Sequence, residues 1–204
     1  MKTILSVDFD WIMQPDIEMY NALCGVSSNL QDLHNMWDFI QHRLQRTKFS
    51  CNERQFADLM FFLSNITKNK KEHVHFILHH HQILDFIDPS EQVIIVNIDH
   101  HHDYGYAQED GKVLEQYPTV ANWVRCLHKE NRLEKYIWVG NLNSDGINLV
   151  QKSLQDKFNF YTELSCIDTM HYDEIIICFS QEWIPPNIRP LYFVLKELVL
   201  KGDK

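Results

Sequence analysis

Residues 92–106 read QVIIVNIDHHHDYGY, and the first half of this stretch decides the fold while the second half locates the chemistry. Val93 to Ile98 form a short run rich in β-branched residues, and the run ends at once in Asp99-His100-His101-His102-Asp103. Apolar runs of this length suit a parallel strand that is covered on both faces. Parallel sheets gather their ligands at the carboxyl ends of the strands, so the acidic and imidazole cluster falls where that rule wants it. Alternate residues of an extended segment share a side. Asp99, His101 and Asp103 are therefore expected to point into one cavity, with His100 and His102 turned away.

Working outward, runs of the same character recur. TILSVDF at 3–9 ends in Asp8 and Asp10, VHFIL at 74–78 ends in His79-His80-His81, YIWVG stands at 136–140 and EIIICFS at 174–180. Between them lie stretches with helical spacing. Leu30, Leu33, Trp37, Ile40 and Leu44 mark a helix over 29–46, and Phe56, Leu59, Met60 and Leu63 mark one over 52–66 with Ser50 or Asn52 as its N-cap. Shorter helices are expected at 80–87, at 119–130 behind Pro118, and at 188–200. Strands that alternate with helices predict a three-layer α/β/α domain around a mostly parallel sheet, with residues 1–204 forming one unit.

Composition narrows the function. The chain has 204 residues, 45% of them hydrophobic, and a formal net charge of -9, which is the wrong sign for general attraction to nucleic acid or to an anionic membrane. An acidic protein suits a cationic ligand. The opening residues are too short an apolar stretch for a secretory signal, and no run reaches the length of a membrane span, so a cytoplasmic protein is expected. Cys24, Cys51, Cys126, Cys166 and Cys178 are scattered and contain no C-x-x-C pair, which reads as reduced thiols, mostly in the core.

Of the 12 histidines, eight lie between His73 and His102, and the chemistry is sought there. Asp99, His101 and Asp103 supply mixed oxygen and nitrogen donors, a set suited to manganese, iron or zinc. Asp8 and Asp10 add two carboxylates at the end of another strand. Only one histidine of the 79–81 run can face the same site, and His80 is the candidate, with a neighbour supporting it from behind. Six donors of this kind are about what two ions sharing a bridging water require. Asp145, in WVGNLNSDG, and Glu182, in FSQEW, are candidates to meet a cationic substrate, and Trp11, Tyr104 and Tyr106 are candidates to line its channel; Trp123 is expected in the core.

Together VHFILHHHQIL, IIVNIDHHHDYGY, ILSVDFDW and, more loosely, EIIICFSQEW resemble the ureohydrolase superfamily of arginases and histone deacetylase-like enzymes. The nearest branch is the peptide arginases, which convert arginine side chains of ribosomally made precursor peptides to ornithine. The resemblance implies an arginase-like fold, two Mn²⁺ ions, and Asp8, Asp10, His80, Asp99, His101 and Asp103 as the metal ligands, with Asp8 and Asp99 bridging. It implies Asp103 and His101 as catalytic residues, Asp103 carrying the proton. In most of that superfamily the D-x-D pair follows the D-x-H-x-D cluster. Here it precedes it, which implies a circular permutation or a first strand that takes the same place in space.

Three other readings compete. A DHH-type phosphoesterase also wants an apolar strand ending in Asp99-His100-His101 together with a D-x-D pair. A non-catalytic metal-binding interaction module would keep the ligands without turnover. A haloacid-dehalogenase phosphatase would use Asp8, Asp10 and Ser180 but leaves the histidines without a role.

Overall fold

The computed structural model describes residues 1–13, 37, 40–42, 44, 49–105, 118–141, 144, 146–181 and 183–201. Six strands form one sheet: β1 (Lys2–Asp8), β2 (Val74–Ile77), β3 (Val93–Ile98), β4 (Leu133–Val139), β5 (Phe158–Tyr161) and β6 (Glu174–Cys178). Their order is β2-β6-β1-β3-β4-β5, and every pairing is parallel. The expected three-layer α/β/α architecture is therefore present, with a sheet that is wholly parallel among the described residues.

β-Branched side chains explain why these segments are strands, because both faces of the sheet are covered. On one face Leu5, Val7, Val96, Ile98, Ile175 and Ile177 pack with Leu59, Phe62 and Leu63 of α1 (Glu53–Thr67) and with Tyr192, Leu195 and Val199 of α4 (Arg189–Lys201). On the other, Ile4, Val93, Ile95 and Ile176 pack with Ile83, with Trp123, Val124 and Leu127 of α2 (Trp123–Lys129), and with Val150 and Leu154 of α3 (Ile147–Leu154). Each buried Ile, Leu or Val contributes about 1.5–3 kcal/mol over leaving it exposed, so these two layers supply the main driving force.

Chain direction places the site. From β1 the chain passes to β2 on one side, whereas from β3 it passes to β4 on the other, so the connections diverge between β1 and β3. Such a divergence opens a crevice at the carboxyl ends of the two strands. Asp8 ends β1 and Asp99 follows β3, so both flank it.

Several local expectations shift. Asn52, not Ser50, caps α1 by accepting from the Gln55 N–H. Residues His80–Phe86 form 3-10 turns rather than an α-helix, with Gln82 Oε1 accepting from the Leu78 and His79 N–H groups. The helix expected from 119 starts at Trp123, because the Asn122 side chain accepts from the Thr119 N–H and holds the preceding residues in a turn. β5 and α3 were not anticipated. Of the helix expected over 29–46, only Trp37, Ile40, Gln41, His42 and Leu44 are among the described residues, and all five are helical. Of the cysteines described, only Cys178 is fully buried, while Cys166 is exposed. No described helix is long and apolar enough to cross a membrane.

Candidate metal centre

On the face that carries Ile4, Val93, Ile95 and Ile176, the strands turn polar toward their carboxyl ends. Along β1 the face reads Ile4, Ser6, Asp8; along β3 and beyond, Val93, Ile95, Asn97, Asp99; along β6 and beyond, Ile176, Cys178, Ser180. All the polar members are buried, with Ser6, Asn97 and Asp99 at 0% exposure. A polar group removed from water must be paired or must bind something, so the partners of these groups decide what this end of the sheet can do.

The Asp8-Phe9-Asp10 pair does not stay extended. Asp8 caps a 3-10 turn over Phe9–Ile12, its Oδ1 accepting from the Asp10 N–H at 3.2 Å. The turn sends the two carboxylates to different partners. Asp8 Oδ2 lies 3.1 Å from His80 Nδ1, and Asp10 Oδ2 lies 2.9 Å from His101 Nδ1.

The 99–103 segment also bends. Asp103 adopts a left-handed backbone with φ 48, unusual for a residue with a side chain and of the kind often held at functional sites. The expected division of side chains nevertheless stands. Asp99 and Asp103 reach His80 Nδ1 at 3.2 and 2.7 Å, and His101 turns to Asp10. His100 instead meets the Asn141 side-chain nitrogen at 2.8 Å, and His102 Nδ1 accepts from the Tyr104 N–H. His102 also packs against Gly146, where a Cβ would run into its ring.

His80, singled out from its run, is 1% exposed, while the rings of His79 and His81 stack on each other at 6.0 Å. Its Nε2 meets Ser6 Oγ at 2.5 Å, so Nδ1 is the nitrogen that faces the carboxylates. Three carboxylate oxygens surround Nδ1, yet none meets it at hydrogen-bonding geometry, and Asp10 Oδ2 is likewise buried without a hydrogen bond.

The result is two groups of potential ligands: Asp8, His80 and Asp99 in one, and Asp10, Asp99 and His101 in the other. Asp99 belongs to both. Asp103 adjoins the first through His80. These buried Asp and His side chains could hold a metal ion, and the orphaned nitrogen and oxygen are the atoms a cation would satisfy.

Electrostatics agree. Among the described residues, the only cationic partners of Asp8, Asp10, Asp99 and Asp103 are His80 and His101. Burial and the neighbouring Asp103 and Asp8 carboxylates push Asp99 up to about 7. Burial opposes charge on His101, but Asp10, with Asp99 and Asp103, outweighs it and raises that imidazole to about 10. His80 is held well above its ordinary value in the same way, burial being overcome chiefly by Asp103 and Asp8.

Further groups hold the ligands. Trp123 Nε1 donates to Asp103 Oδ2 at 2.6 Å, Asn97 donates to Asp99 Oδ2 at 3.1 Å, the His101 N–H donates to Asp99 Oδ1 at 2.7 Å, and Ser180 Oγ donates to Asp8 Oδ2 at 2.6 Å. Tyr136 stands behind them, accepting from Asn97 and donating to the His102 carbonyl. Sequence reading missed Ser6, Asn97 and Tyr136. The available signal was the period of two, since Ser6 and Asn97 each stand two residues before an aspartate at a strand end.

Of the substrate residues expected, Trp11 is packed in the core at 2% exposure rather than on a channel wall. Tyr104 is also buried, its hydroxyl 2.6 Å from His128. Trp123 is in the core as expected. Asp145, Glu182 and Tyr106 lie outside the described residues. His101 is the most open of the candidate ligands, 14% exposed, with the Trp183 ring 4.9 Å away. Comparison with known proteins finds no match: no family model, no curated protein and no solved structure.

Proposed function

We propose that the chain is a manganese-dependent hydrolase with a two-ion centre, and that it cleaves the guanidinium of arginine side chains in a ribosomally made precursor peptide, giving ornithine and urea. The observation that carries the two-ion reading is Asp99, which belongs to both ligand groups and so would bridge. Four carboxylates and two imidazoles form a donor set suited to Mn²⁺, with no thiolate among the ligands. When bound, two such ions would supply Lewis acidity and a nucleophile from water at neutral pH.

The chain's own residues would do the rest. Water's oxygen bonds to the guanidinium carbon, the bond from that carbon to the side-chain nitrogen breaks, and the departing nitrogen needs a proton. Asp103, fixed by Trp123 and beside His80, would carry that proton from the attacking oxygen to the leaving amine. What supports a cationic substrate over a phosphoester is the charge. Two Mn²⁺ ions would neutralise the four carboxylates, so what counts is the surroundings: the described residues bring no lysine or arginine to the carboxylates, and the whole chain is at -9. The motif resemblance supports arginine as that cation.

The test is turnover by the Mn²⁺-loaded chain on an arginine-containing peptide and on free arginine, with Asp99→Ala as control. Urea release and the matching mass loss in the peptide, both absent in the variant, are expected. Cleavage of a phosphodiester without urea would transfer the centre to DHH-type chemistry, and bound metal without any turnover would make it a binding module.

A further inference from the structure

Ser180 combines two features that the proposed chemistry does not use. It is a non-glycine residue in the left-handed region, φ 44, and it is 1% exposed. A side chain pays a steric penalty there, so such a conformation persists only where the surroundings enforce it. Its hydroxyl donates to Asp8 Oδ2 at 2.6 Å, and Cys178 Sγ stands 3.2 Å from the Ser180 Oγ.

The strained backbone is what makes this contact. Leaving β6, the chain would carry residue 180 onward in an extended conformation; at Ser180 it turns instead, and the Ser180 carbonyl accepts from the Trp183 N–H at 2.9 Å. One residue therefore touches both halves of the centre. Its hydroxyl holds Asp8 in the first ligand group, and the turn it starts carries Trp183 to the His101 ring in the second.

With Oδ1 taken by the Asp10 N–H and Oδ2 by Ser180, the Asp8 carboxylate is fixed at both oxygens and faces His80. Partners of this kind orient a ligand before the ion arrives, and losing one lowers metal affinity by roughly 10–100-fold. Fixing Asp8 also matters because four carboxylates crowd together and would otherwise turn away from one another.

We propose that Ser180 is a positioning residue for the metal centre, its left-handed backbone being retained in order to present the hydroxyl to Asp8. This inference rests on the reading of the cluster as a metal site. Glycine adopts the left-handed conformation without penalty, so Ser180→Gly keeps the turn and removes the hydroxymethyl group. Ser180→Ala removes the hydroxyl and keeps the strain.

The experiment is a titration of the metal-stripped full chain with Mn²⁺, following free ion by its electron paramagnetic resonance, beside thermal unfolding of the same metal-free samples. Both variants are expected to bind Mn²⁺ about 10-fold or more weakly than the parent. The glycine variant is expected to unfold at a temperature at least as high as the alanine variant. A glycine variant that binds Mn²⁺ as tightly as the parent overturns the proposal, whatever its unfolding temperature, because the hydroxyl would then serve the fold alone. If the alanine variant does not fold, the glycine variant still decides. Failure of the parent itself to bind any divalent ion would instead refute the metal reading.

Discussion

The two ends of the sheet treat charge in opposite ways. At the amino ends of the strands, Lys2 Nζ lies 3.1 Å from Glu174 Oε1, His75 lies 2.8 Å from the other oxygen of that carboxylate, and Arg132 donates to the carbonyls of Ile87 and Asp88. Opposite charges meet, and all of these groups remain partly open to solvent. At the carboxyl ends, four aspartates are buried with imidazoles as their only cationic partners among the described residues. A fold that needed only stability would resemble the first end at both. Like charges packed together out of water are unfavourable unless something compensates, and a bound cation, as proposed, would supply that compensation at the second end.

The contrast breaks most sharply at Asp99, which both ligand groups share. Asp99→Asn is expected to abolish stoichiometric Mn²⁺ binding, with an affinity loss on the order of 100-fold or more, measured by metal content after gel filtration. The same change should raise the unfolding temperature of the metal-free chain, since it removes one of four crowded carboxylates. A variant that loses metal and also loses stability would mean that Asp99 supports the fold instead.

Next in size is the pair of groups behind His80. Ser6→Ala frees Nε2, so the ring no longer has one nitrogen fixed and the other aimed at the carboxylates. Metal affinity should fall by about 10-fold, with retained circular dichroism showing that the strand is intact.

The pH dependence sharpens the comparison. Asp99 is raised from 3.8 to about 7, and His101 from 6.5 to about 10. A group whose folded pKa is raised adds stability that is complete below its unfolded value and is lost as pH rises through the folded one. The metal-free chain should therefore lose stability between about pH 4 and 10, on the order of 1 kcal/mol per pH unit at most. Denaturant unfolding at pH 6, 8 and 10 would measure it. Saturating Mn²⁺ should flatten or reverse the trend, because the ion favours the deprotonated ligands.

The smallest effect belongs to the other end. Glu174 is partly exposed, and although burial alone would raise its pKa, His75 and Lys2 hold it below the usual value, so its contribution is present above about pH 4.5 and lost as pH falls further. Glu174→Gln should change stability only slightly at pH 7 and leave Mn²⁺ binding unchanged. A change in Mn²⁺ binding would mean that the two ends are coupled.

What the sequence made legible follows from periodicity and its limits. β1, β3 and β6 were readable because runs of Val and Ile end abruptly in acids or in Ser180, and that same boundary marked Asp8, Asp99 and Asp103; the divergence of the chain follows from strand order, which no single run reveals. β5, FNFY, is a four-residue strand with a polar residue inside it, too short for a pattern to emerge. α3 follows a glycine in the left-handed region and is only eight residues long, so the helical spacing of Ile147, Val150 and Leu154 spans barely two turns. The bends at Asp8–Asp10 and at Asp103 were misread as extended because a left-handed or 3-10 turn at a non-glycine residue is imposed by tertiary contacts, not by local preference. One-per-site geometry allowed a single histidine of the 79–81 run without fixing which, and the motif resemblance pointed to His80; its partner Ser6 lies 74 positions away and only the fold brings them together.

The central claim is that the carboxyl end of the sheet is a two-ion centre bridged by Asp99. Mn²⁺ titration of the metal-stripped chain tests it most directly. The account predicts two bound ions per chain with spin-coupled resonance, and their joint loss in Asp99→Asn. A single ion, unaffected by that substitution, would contradict it.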